Sequence, residues 1–129
     1  MMIREFRASD INQLKKIHES YYQHEFSLDD FCQKFIEFFV IEDDGHMISA
    51  GGVRSIAESV IMTNKSLSNR IKRAALYQML EAQLYVCKSN HYPQLHAFIQ
   101  DDEWKKHLIQ RAGFKDCKGD AIFIPVEDK

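Results

Sequence analysis

Lys65, Arg70, Lys72 and Arg73 put four cations within nine residues, just ahead of the apolar run that follows Ala74 and Ala75. Ser68 and Asn69 lie among them as candidate helix caps in the stretch SLSNRIKRAAL. A helix starting here presents about half a positive charge and several unpaired N–H groups, an arrangement that binds phosphate. The stretch contains no glycine, the residue that lets a backbone approach a phosphate closely. An arginine in helical conformation can still offer its N–H if its side chain turns outward. A solvated basic helix start accounts for the same residues without a ligand.

Other reactive side chains have two readings each. Glu58 opens ESVIMT: it is either a proton acceptor, best with a raised pKa, or a strand-end carboxylate in water. His96 alternates with Phe98 and Gln100 in QLHAFIQ. It is a base if that face opens on a cleft, and otherwise a packed histidine. YYQHEF holds Tyr21, Tyr22, His24, Glu25 and Phe26, suited to an amine ligand or to half-buried rings in a connection. Trp104 is either a partner anchor or a cap on the core. Asp101, Asp102 and Glu103 suit a helix N-terminus. Cys87, His91, His96 and Cys117 lack zinc spacing, and no C-x-x-C pair occurs, so no metal site is expected.

The elements that must position these residues follow from periodicity and turn chemistry. MIREF reads as a strand. ASDINQLKKIHESYY reads as a helix capped by Ser9 or Asp10, with Ile11, Leu14, Ile17 and Tyr21 on one face. SLDDFCQKFIEFF reads as a second helix, with Ser27 and Asp30 as a capping-box variant and Phe31, Phe35 and Phe38 or Phe39 inward. FFVIEDDGHMISAGGVRSI is a hairpin turning at Asp44-Gly45. ESVIMTN is a third strand. The longest helix runs from about Ser68 to Asn90 with Leu76, Met79, Leu80, Gln83 and Leu84 on a broad stripe, and Pro93 lies beyond its end. QLHAFIQ is a strand, DDEWKKHLIQRAGF a helix closed by Gly113, and CKGDAIFIPV one or two closing strands.

Composition sets the frame. The 129 residues fit one domain, able to bury roughly two thirds of the surface exposed on unfolding. Hydrophobic residues at 45% and charged residues at 28% are those of a globular protein. The net charge of −2 gives no general attraction to nucleic acid or to an anionic membrane. Three cysteines without paired spacing fit a reducing cytoplasm. The opening MMIREFRASD turns polar at once, unlike a leader peptide, and no apolar run approaches membrane-spanning length.

The element order, a mixed sheet with helices on both faces, resembles the GNAT N-acetyltransferase superfamily. Three pieces carry the resemblance: MIREFRASDINQL at the start, the VIEDDGHMISAGG hairpin, and LIQRAGFKDCKGDAIFI near the end. HAFIQDDEWKKHLIQRAGF also resembles divergent GNAT-like proteins encoded by bacteriophages, some of which serve as virion or assembly components.

The resemblance implies a single GNAT-like acyltransferase domain over 1–129, located in the cytoplasm of a bacterium or a phage-infected cell. It implies acetyl-CoA as co-substrate, held by Met62, Thr63, Arg70, Ile71, Lys72, Arg73, Ala74 and Ala75. Tyr22 and Phe26 would contact an amine acceptor, and a homodimer is compatible with it. Glu58 would take the acceptor's proton, with His96 as a further candidate base, and the N–H of Met62 or Thr63 would polarise the thioester.

The sequence departs from the family at three positions. Arg73 stands where the cofactor loop has its central glycine, Ile109 where a tyrosine is usual, and Asp102 where an asparagine is usual. These departures also fit a catalytically degenerate GNAT fold kept as a phage structural, assembly or host-interaction protein.

Overall fold

The computed structural model describes residues 1–126. The chain mixes helices and strands and divides into two compact units, 1–57 and 58–129. Where the pattern predicts one mixed sheet, the described residues form a three-stranded sheet and a two-stranded one.

The first unit is built on an antiparallel sheet of β1 (Met2–Glu5), β2 (Phe35–Asp43) and β3 (His46–Arg54), with β2 in the middle. β2 and β3 are joined by Asp44 and Gly45 alone, at φ 52° and 78°. Two successive positive φ values make the turn whose twist matches a hairpin, so the Asp-Gly expectation holds for its stated reason. A bulge between Phe35 and Glu37 shifts the alternation of β2. Gly52 faces that irregularity, and a Cβ there would run into the carbonyl oxygen of Glu37.

The bulge explains a misreading of the sequence. Phe35 and Phe38, three apart, would lie on opposite faces of a regular strand. Here their rings stack with centroids 4.2 Å apart. The i, i+3 spacing therefore imitates a helix, and the second helix expected across SLDDFCQKFIEFF is only α2 (Leu28–Phe31). Its cap is as expected: the Ser27 hydroxyl accepts from Asp30 N at 3.1 Å. Lys34, at φ 61°, then turns the chain into β2.

α1 (Ile11–Ile17) follows a single 3-10 turn at Ala8–Asp10 and buries Leu14. It runs into a π-helical turn, His18–Tyr22, which leaves Tyr21 75% exposed rather than inward. Val40 of β2 is fully buried.

The polar centre of this unit is Arg4. Its guanidinium donates to both carboxylate oxygens of Asp10, at 2.8 and 2.7 Å, and to Glu42 at 3.1 Å. Asp10 is buried and also accepts from Arg7 N at 2.7 Å. The hydrogen bonds from Arg4 hold the Asp10 carboxyl down at about 2, against a burial cost that acts the other way, and the Arg7 N–H helps.

β4 (Ala57–Glu58), which starts at the last residue of the first unit, and β5 (Leu95–His96) form the short sheet, and in the second unit Ser59 N donates to His96 O at 2.7 Å. α3 (Asn69–Ser89) buries Leu80 and Cys87, two turns apart. The stripe is narrower than expected, since Met79 and Leu84 are exposed. His91, at φ 61°, ends α3: its N–H returns to Lys88 O and that of Tyr92 to Cys87 O, the pairing of a Schellman motif. α4 (Asp102–Arg111) is closed by Gly113 at φ 80°, as expected. The closing strand expected in CKGDAIFIPV does not form in the described part, where Ile122, Phe123, Ile124 and Val126 are exposed. ESVIMTN likewise pairs only at its first residues. No helix among the described residues is long and apolar enough to cross a membrane.

The Asp10 carboxyl fixes a pH dependence. Its value is lower folded than the ordinary 3.8, so its contribution to stability is complete above that value and is lost as the pH falls toward about 2. Denaturant midpoints measured across this acid range should fall in the native chain. The Asp10→Asn chain should start lower and lack that component of the slope.

Candidate functional site

A cleft of about 960 Å³ opens in the second unit, within the range of small-molecule sites. Four segments wall it: the chain after β4, the first turns of α3, the residues after β5, and α4 with Phe114 beyond it. Three of them are set in place by a local device. Ser59 Oγ is 2.8 Å from the Gln83 side-chain oxygen and donates to it, tying the first segment to α3. The Ser68 hydroxyl accepts from Ile71 N at 3.3 Å and caps α3. The Asp101 carboxylate accepts from Glu103 N at 2.9 Å and Trp104 N at 3.3 Å and caps α4. That cap gives the acidic run its structural role.

The wall has a cationic side and an apolar side. Lys65, Lys72 and Arg73 bring positive charge, with Asn69 at the first helical position of α3. The first turn of α3 carries no acidic residue, so no carboxylate of the helix itself offsets its positive end. Val60, Ile61, Leu76, Leu80, Phe98 and Leu108 form the apolar part. Glu58 and Asp101 are its carboxylates. Val60, Ile61, Met62 and Thr63 lie beyond β4, and among the described residues their N–H groups donate to no backbone carbonyl.

Of the candidate site residues singled out in the sequence, Glu58, Thr63, Lys65, Lys72 and Arg73 share this cleft. Arg70, Ile71, Ala74 and Ala75 lie on α3 outside its wall, and Met62, 96% exposed, also stays out. A helix turns about 100° per residue, so a run of six consecutive positions cannot all face one cavity. His96 is half-buried and not in the wall; its Nδ1 is buried without a hydrogen-bond partner, and its carbonyl holds Ser59.

Tyr22 and Phe26 belong to the first unit. Their rings stack at 5.5 Å, and Phe26 continues onto Phe31 at 5.4 Å. The His18 Nε2–H donates to Phe26 O at 2.6 Å and fixes that turn. Both rings keep an exposed side, at 42% and 36%.

Sequence reasoning missed His107, and Trp104 as a lining residue; their rings stack at 5.3 Å. Trp104 and His107 sit three apart on a helix, a spacing that puts two side chains on one face. Among the described residues, no group of three or more His, Cys, Asp and Glu is placed to hold a metal ion. Cys32 and Cys117 are exposed thiols and Cys87 is buried.

No family model matches the chain, and no curated protein matches it. Among solved structures, an aminoglycoside N-acetyltransferase in complex with CoA aligns over 98% of this chain and 100% of its own. The identity is 12% and the TM-score 0.36. A likeness at that level carries no argument about fold or function.

Ser68→Ala removes the cap that orders the start of α3. It should cost about 1 kcal/mol, read as a lower denaturant midpoint, with faster hydrogen exchange confined to the first turn of α3.

Proposed function

We propose that the chain is a GNAT-type domain, 1–129, that transfers an acetyl group from acetyl-CoA to the amine of a small-molecule or protein acceptor by direct attack. The observation that carries this reading is the cleft itself. It sets Lys65, Lys72, Arg73 and the uncompensated start of α3 beside an apolar wall and a carboxylate. That donor set fits the co-substrate: cations and helix N–H groups suit its pyrophosphate, and the apolar wall suits its pantetheine arm.

Acetyl-CoA supplies an activated thioester. The chain's own residues do the rest. Lys72 and Arg73 neutralise phosphate charge, with Arg70 as a further candidate on the same helix start; Ile71 is uncharged and gives its N–H to the Ser68 hydroxyl. The N–H of Thr63, which lines the cleft, or that of Met62 before it, is the donor to a developing oxyanion. Glu58 accepts the acceptor's proton, directly or through water. Tyr22 and Phe26 are the candidate acceptor contacts, since each is anchored on one side and open on the other. Ile109 cannot protonate a leaving thiolate, so that proton comes from solvent or another donor. The same isoleucine and the arginine at 73 favour the second reading, a degenerate fold kept for its surface.

Calorimetric titration with acetyl-CoA should show micromolar binding that weakens with salt. Lys72→Glu should weaken it by at least about tenfold with the fold intact. Affinity unchanged in that variant would remove the phosphate role of the α3 start. Glu58→Gln should leave affinity alone and slow turnover on a competent amine by about 100-fold. Lost binding with no rate defect would remove Glu58 as the base. No binding at millimolar acetyl-CoA would leave the surface-protein reading.

A further inference from the structure

A second cavity, about 330 Å³, lies between α3 and α4 and is lined by Arg73, Tyr77, His107 and Arg111. Two guanidiniums, an imidazole and a phenol line it, and among the described residues it has no carboxylate. Neither arginine is in an ion pair among the described residues. Arg111 is in the last turn of α4, where a cation is favoured by the helix's negative end. Arg73 has no such relief, being near the positive end of α3.

Two guanidiniums facing one small cavity repel each other. A doubly charged anion with several acceptor oxygens reverses that, because the planar guanidinium fork matches phosphate. The other two side chains are held in place, Tyr77 with its one proton already given to a carbonyl, so the two arginines and His107 are the donors a ligand meets. The His107 ring lies flat on Trp104, with 11° between the planes, and the Tyr77 hydroxyl donates to Arg111 O at 3.4 Å. Arg73 and His107 line both this cavity and the larger cleft, so one ligand can occupy the two at once.

We propose that the Arg73–Arg111 cavity is a phosphomonoester site that takes the terminal phosphate of a ligand whose body lies in the cleft. Resting on the cofactor reading, that group is the 3′-phosphate of CoA, which makes Arg111 and His107 determinants of selectivity for CoA over dephospho-CoA.

The test compares the calorimetric affinities of CoA and dephospho-CoA, which differ only in that phosphate, for the native chain and for Arg111→Gln. Arg111 is exposed, and a thermal melt checks that the variant folds. CoA should bind the native chain more tightly by about tenfold or more, and the variant should bring the ratio close to one. Equal affinities in the native chain, or an undiminished ratio in the variant, overturn the site while leaving the cofactor reading in place.

If neither compound binds, the cofactor reading falls and inorganic phosphate decides about the cavity. Millimolar phosphate that shifts the His107 ring signals in the native chain, and not in Arg111→Gln, upholds a phosphomonoester site for another ligand. Unshifted signals overturn it.

Discussion

α3 begins with Arg70, Lys72 and Arg73 at the end of a helix where the aligned peptide dipoles already place positive charge, and no acid sits in the first turn. Ordinary helix starts put Asp or Glu there, as α4 does with Asp102 and Glu103. The contrast between the two helices organises the second unit. α4 satisfies its own start with Asp101, whereas α3 satisfies one N–H with Ser68 and leaves its field directed at the cleft. The cations are repelled by one another and by the helix end, and an anion relieves both. The cleft, its smaller neighbour and the functional reading all depend on that imbalance.

The first unit is governed by a different economy of charge. Arg4, Asp10 and Glu42 bring a guanidinium and two carboxylates together in a half-buried setting, with Asp10 also holding the backbone of Arg7. That network ties β1, the start of α1 and β2. Beside it the rings of Phe6, Phe38, Phe35, Phe31, Phe26 and Tyr22 form a continuous series of contacts out to the surface. The YYQHEF turn is therefore held at its base by stacking and by the His18–Phe26 hydrogen bond while its outer faces remain open. A turn anchored in this way can present rings to a ligand with little loss of side-chain freedom.

Local rules were legible where one or two residues decide the outcome. The Asp44-Gly45 hairpin, the Ser27 and Ser68 caps, the acidic run at the head of α4 and the Gly113 ending were each readable from residue type alone. The same kind of rule failed over FCQKFIEFF, because a bulged strand and a helix both bring residues three apart onto one face. It failed again after Glu58 and over CKGDAIFIPV, where apolar content suggested strands. A strand exists only when another offers its backbone groups, and that offer is not written in the segment itself.

The sequence by itself determined the chemical inventory: a basic helix start without glycine, a lone carboxylate ahead of it, aromatic rings in a connection, and no paired cysteine or histidine spacing. It also determined where α2, α3 and α4 begin, since a cap bonds to residues two or three places away, whereas the cap expected of Ser9 or Asp10 on α1 does not form: the Asp10 carboxylate turns back to Arg4 and Arg7. Only the tertiary structure decided which of the six positions from Arg70 to Ala75 reach the cleft, that His96 stays outside its wall, and that Arg111 comes within one cavity with Arg73. Those outcomes depend on where α3, α4 and β5, far apart in the chain, come to lie around the cleft. The residues that α3 and α4 bury are Leu80, Cys87 and Leu108, apolar positions that carry no information about which charged side chains end up facing one cavity.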